Sequence, residues 1–217
     1  MSANMDKCRS FVWTGLMTES AERILALAKS KGILRTRAVD IAGAPRALLA
    51  SLADDGRLLK LGRGLYTLPD RAASKHESFA EVAARSESGV QCLLSALRFH
   101  DLTTQQSSDI WLAIPHKARA PRFDYPPLRI IRMSGLAMTE GVEIADIGGV
   151  QVRVFNVAKT VPDCFKFRNK IGLDVAFEAL REAWNDKRAT MDDLWRYAEI
   201  GRVANVIRPY LEIVGAV

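Results

Sequence analysis

At 217 residues, with 48% hydrophobic content, the chain can bury a sizeable core in one or two domains, and it holds no apolar run approaching the roughly 18 residues of a membrane span. The formal net charge of +6 is uneven, because the basic excess lies almost wholly in the first 77 residues while the charges from 78 onward nearly balance; any affinity for a polyanion therefore belongs to the N-terminal part. Three widely spaced cysteines, Cys8, Cys92 and Cys164, form no C-x-x-C pair, which argues against a disulfide framework or a zinc site and points to reduced thiols in a cytoplasmic protein.

Residues 1–17 lack clear periodicity and read as an N-terminal arm; their apolar stretch, 11–17, is too short for a signal segment and lacks a cleavage pattern. The first helix is predicted over 18–31, with Thr18 as cap, Glu19 and Glu22 at its positive end, an apolar face of Ile24, Leu25, Leu27 and Ala28, and a stop at Gly32. A short helix over 37–42 carries Val39 and Ile41 and ends at Gly43. Pro45 opens the next, over 45–54, where Leu48, Leu49 and Leu52 recur at helical spacing until Asp55-Gly56. Two β-prone arms, 58–61 and 65–68, then flank Gly62-Arg63-Gly64.

Helix, tight turn, helix and hairpin is the pattern of a winged helix-turn-helix, placed at 18–69. With its leucines turned inward, the second helix of the pair presents Arg46, Ala47, Ala50 and Ser51. Arg35, Arg37, Arg57, Lys60 and Arg63 fall at helix starts and along the hairpin. That distribution suits double-stranded DNA, with phosphate contacts from the basic residues and base contacts from Arg46, Ala47 and Ser51. The alternative is a solvated basic face on a protein-binding winged helix.

Residues 70–77 are polar and read as a linker to a domain at 78–217. Two capping boxes, Ser78-x-x-Glu81 and Ser88-x-x-Gln91, predict helices over 79–86 and 89–100. Strands are expected over 109–115, 128–133, 142–147 and 150–155, the last pair joined by Gly148-Gly149. Asn156 is a candidate cap for a helix running toward Arg168, and helices over 172–184, 191–200 and 204–214 form a tail broken at Gly201 and bent at Pro209. The expected fold class is α+β: an N-terminal winged helix-turn-helix followed by a mixed α/β domain with a small sheet and a helical tail.

Signals for chemistry are sparse. His76, His100 and His116 have no ligand partners at metal spacing and read as surface or loop residues, and neither a dinucleotide-binding nor a P-loop glycine pattern occurs, so no cofactor, metal or catalytic residue is expected. Glu140, Glu143 and Asp146 would alternate along one hairpin arm, which fits a metal-dependent nuclease or, equally, a solvated strand face. Two basic groups stand out: Lys117, Arg119 and Arg122 around a proline-rich stretch with Phe123 and Tyr125, and Lys159, Lys166, Arg168 and Lys170 after the last strand. Either forms a surface for an acidic partner or a solvated face.

In order along the chain, Gly62-Arg63-Gly64-Leu65-Tyr66, residues 89–97 (GVQCLLSAL), 110–115 (IWLAIP), Val152-Arg153-Val154-Phe155 leading into Ala158-Lys159-Thr160-Val161, and Asp163-Cys164-Phe165 ahead of 172–176 (GLDVA) resemble the AbiEi-type antitoxins of bacterial type IV toxin–antitoxin systems. The resemblance implies a winged helix that represses its own operon at operator DNA and a C-terminal domain, without enzymatic activity, that counters a nucleotidyltransferase-like toxin. The two basic groups of that domain are then candidates for the antitoxin surface. Pro162 departs from the pattern, since it removes an amide from a helix begun at Asn156 and predicts a start near Thr160 or a kink. A DNA-directed nuclease and an effector-responsive transcription factor are the alternative readings.

Overall fold

The computed structural model describes residues 18–62, 64–70, 76–105, 107–122 and 125–215; the expected N-terminal arm, Cys8, Arg63 and Phe123 lie outside them. Two compact units are present, one of residues 1–84 with 146–150 and the other of 85–145 with 151–217.

In the first unit, residues 18–31 form α1, which buries Ala21, Ile24 and Ala28 along one face. β1 (Leu34–Arg35), α2 (Thr36–Ile41), α3 (Ala47–Asp54), β2 (Leu59–Gly62) and β3 (Leu65–Thr67) follow. Glycine ends both short helices for a conformational reason. Gly43 and Gly56 each have φ of +70°, and this left-handed step lets the amides of Ala44 and Arg57 reach back to the carbonyls of Val39 and Leu52. Leu48 and Leu49 of α3 share a core with Val39, Leu52, Leu58 and Tyr66. The helix proper starts at Ala47, two residues later than Pro45 predicted, because its entry is a tighter turn in which Leu48 and Leu49 donate to the carbonyls of Pro45 and Arg46.

The strands of this unit pair in the order β1-β3-β2. Leu34 and Arg35 lie opposite Tyr66 and Leu65, and the β2–β3 pairing shifts register between Lys60 and Gly62, a bulge that strengthens the twist of the hairpin. α4 (Glu77–Arg85) groups with this unit through Ala84. The helix begins before Ser78, not after it: the amides of Phe79 and Ala80 donate to the carbonyl of His76, whose ring stacks on Phe79 at 5.4 Å.

The second unit is built on a five-stranded mixed sheet in the order β6-β5-β4-β8-β7. Its strands are β4 (Val90–Gln91), β5 (Ile110–Pro115), β6 (Leu128–Met133), β7 (Val142–Ile147) and β8 (Val150–Phe155). β4 corrects the expectation of a helix from residue 89. Val90 and Gln91 pair with Ala113 and Leu112 on one side, and Gln91 pairs with Val154 on the other. A backbone placed between two strands satisfies its polar groups there, so α5 (Leu93–Phe99) starts only after Cys92.

Around the sheet lie α6 (Leu136–Thr139), α7 (Val157–Lys166), α8 (Arg168–Ile171), α9 (Leu173–Asn185), α10 (Met191–Gly201) and α11 (Ala204–Gly215). α7 is the central helix of the unit, packed against α5, α9 and α10, and its residues 157–165 are all buried. It begins at Val157, not near Thr160. The side chain of Asn156 caps the first turn by accepting from the amide of Lys159 at 2.9 Å, and the helix runs on through Pro162. Burial of this segment outweighs the missing Pro162 amide.

Candidate nucleic-acid interface

The turn between α2 and α3 places an acid against a base. Asp40 accepts from Arg46 through both carboxylate oxygens, Nε to Oδ1 and Nη2 to Oδ2, each at 2.6 Å. This bidentate geometry fixes the plane of the guanidinium. The hydrogen bond from Arg46 is the main reason that the Asp40 carboxyl is held below its ordinary range and the Arg46 guanidinium above its own. Arg46 nevertheless stays open, with 69% of its side chain exposed. The pair was legible only as opposite charges across Gly43-Ala44-Pro45; nothing in the spacing indicated that the turn would bring them into register.

Ala47, Ala50 and Ser51 are exposed on the same α3 whose leucines are buried, and Arg37, Arg57 and Lys60 are exposed as well. Arg35 differs. It is half-buried and its Nη2 donates to the carbonyl of Ala83 at 3.3 Å, so this guanidinium serves α4 and is not wholly presented for phosphate contact. Arg63 lies outside the described residues.

In the second unit, Lys117, Arg119 and Arg122 are exposed on the connection from β5 to β6. Arg132 holds the start of that connection, donating to the carbonyls of His116 at 2.6 Å and Ala118 at 2.9 Å. Lys166 and Lys170 are exposed, and each lies over the ring of Phe167. Arg168 is half-buried, with Nη1 donating to the carbonyl of Phe165 at 3.0 Å.

Lys159 is not part of any surface. It is buried, with 0% of its side chain exposed, in a short ion pair with Asp163, and its ammonium sits 4.5 Å from the centre of the Phe155 ring. The reason is helical phase: once α7 begins at Val157, residues 159 and 163 fall one turn apart on its inner side. Burial pushes the Asp163 carboxyl above its usual range against the pull of Lys159, and burial together with Asp163 raises the thiols of Cys92 and Cys164, both free and buried. His100, expected on the surface, is buried too; its Nε2 lies 2.8 Å from the carbonyl of Phe155.

Residues 22–69, which carry most of α1, the α2–α3 pair and the β2–β3 hairpin, match the family described as "Transcriptional regulator, AbiEi antitoxin". This segment is similar to AbiEi-type antitoxin regulators. DNA binding, transcription regulation and toxin–antitoxin function are what that family denotes, and the helix-turn-helix geometry described above lies within the AbiEi segment. No curated protein matches the chain. Among solved structures it is similar to the crystal structure of the RV2827C protein from Mycobacterium tuberculosis, with 14% identity over 89% of this chain and 81% of that one, at a TM-score of 0.57. At that identity the likeness concerns the fold. No helix among the described residues is long and apolar enough to cross a membrane.

Proposed function

We propose that the protein is a DNA-binding autorepressor and antitoxin that acts without catalysis. Its first unit would work as a winged helix-turn-helix, with α3 in the major groove of operator DNA and the β2–β3 hairpin as a wing against the phosphates. The second unit would counter a nucleotidyltransferase-like toxin through the exposed Lys117, Arg119 and Arg122 and the Lys166–Lys170 segment. One observation carries the DNA reading: Arg46 at the N-terminal cap of α3 and Ala47 and Ser51 on it are exposed, flanked by exposed Arg37, Arg57 and Lys60, inside the segment that matches the regulator family. Two of the three carboxylates that a nuclease would gather, Glu140 and Asp146, are engaged separately. Glu140 pairs with Arg196 at 3.0 Å, Asp146 accepts from the amide of Gly149 at 2.8 Å, and no cluster of three metal-ligating groups occurs among the described residues.

Gel shifts on the DNA upstream of the gene, against a random duplex, test the reading. Binding should weaken linearly in log affinity against log salt, as counterion release requires. Lys60→Ala should weaken both duplexes alike, whereas Arg46→Ala should cost roughly 1–3 kcal/mol, mainly on the specific one. Asp40→Asn, which removes an anion and frees Arg46, should raise affinity for random DNA and lower discrimination. Unchanged binding in all three variants would refute the placement of α3. An effector-responsive regulator is the second reading, favoured by a polar cleft in the second unit.

A further inference from the structure

We propose that the cleft between the start of α7 and α10 is a binding site for a free α-amino acid, its carboxylate held by the first amides of α7 and Arg188 and its ammonium by Glu143, Asp193 and His100. The cleft measures about 410 Å³ and lies wholly within the second unit, a size in the range of small-molecule sites.

Its donors converge at one place. The amides of Val157 and Ala158, in the first turn of α7, take no acceptor among the described residues, and they carry the positive end of the helix. Tyr197 adds a third donor. Its hydroxyl accepts from Asn156 and Arg196, each at 3.4 Å, which leaves its own proton to give. Arg188, which also lines the cleft, is anchored by donating to the carbonyl of His100.

The acceptors are equally specific. His100 is 8% exposed, and because Nε2 donates to the Phe155 carbonyl at 2.8 Å, the neutral ring keeps a lone pair on Nδ1. Burial lowers the pKa of His100, which keeps the ring an acceptor. That Nδ1 has no hydrogen-bond partner among the described residues and is not a sealed orphan, since the buried unpartnered side-chain atoms there are Gln91 Oε1 and Trp111 Nε1. Asp193 uses one oxygen on the Thr190 hydroxyl at 2.6 Å and retains the other. Glu143 is exposed at the rim.

A multiply charged phosphate would meet two carboxylates, and a polyamine would meet Arg188 and a helix N-terminus. A zwitterion satisfies both ends. This inference does not depend on the DNA-binding reading.

The test uses the full chain, titrated separately with each of the twenty amino acids, inorganic phosphate and spermidine, by calorimetry and by ¹⁵N–¹H spectra. One or a few amino acids should bind and shift the Val157 and Ala158 amides, and both Glu143→Gln and Tyr197→Phe should weaken that binding at least tenfold in folded protein. Three outcomes would each overturn the proposal: no amino acid moving those amides at millimolar concentration, binding that both variants leave intact, or a response to phosphate or spermidine alone.

Discussion

Lys159 and Asp163 concentrate the electrostatics of the second unit in two side chains. Both are buried, and removing one partner of such a pair leaves the other charge uncompensated in a poorly solvating interior. Lys159→Met should therefore cost about 3–5 kcal/mol in urea unfolding. Because burial raises the Asp163 carboxyl above its unfolded value of 3.8, the stability it contributes is fully present below that value and is lost as pH rises through the folded-state pKa. The deficit of Lys159→Met should accordingly shrink toward pH 4 and grow toward pH 8. Adding Asp163→Leu should recover most of the loss and remove the pH dependence; a double variant no more stable than the single one would show that the pair is not the cause.

At the scale of elements, α7 decides the unit, because it is buried along almost its whole length and packs against α5, α9, α10 and α11. Its start rests on one side chain. Asn156→Ala removes the acceptor for the Lys159 amide and should cost about 1 kcal/mol, whereas Asn156→Asp or Asn156→Ser should retain most of that stability. Thermal unfolding of the three variants checks this, and an alanine variant as stable as the parent would mean that packing alone sets the helix start. α10 has a similar device, in which Thr190 accepts from the Asp193 amide at 3.1 Å and donates to the Asp193 carboxylate.

Across the whole molecule, the two units carry separate cores, and the proposed DNA-reading and antitoxin surfaces lie on different ones. A fragment from residue 85 onward should fold, with cooperative thermal unfolding by circular dichroism, because the second unit holds its own sheet and helices. It should protect cells that express the partner toxin while failing to repress the promoter. A folded fragment without protection would remove antitoxin function from this unit. In the full chain, reversing charge at Arg119 and Arg122 should reduce protection with little loss of stability, within about 0.5 kcal/mol, since both are exposed.

Local signals were enough for the parts of this protein whose structure is locally determined. Apolar spacing in 45–54 and 172–184, glycines at the ends of α2 and α3, and branched runs bounded by turn residues at 128–133 and 150–155 each predict an element that is present, because periodicity and turn chemistry act over a few residues. The exposed set on α3 follows from the same phase, since burying Leu48, Leu49 and Leu52 turns Arg46, Ala47 and Ser51 outward. Tertiary structure decided the rest. Val90–Gln91 is a strand because two distant strands flank it, although a local capping pattern favours a helix. Lys159 is interior because α7 survives Pro162 and finds Asp163 one turn on, and His100 is buried because the carbonyl of Phe155, 55 residues away, accepts from it. For Val90–Gln91 and His100 a polar or backbone group takes a partner far along the chain, and for all three burial makes an unmet partner too costly to leave.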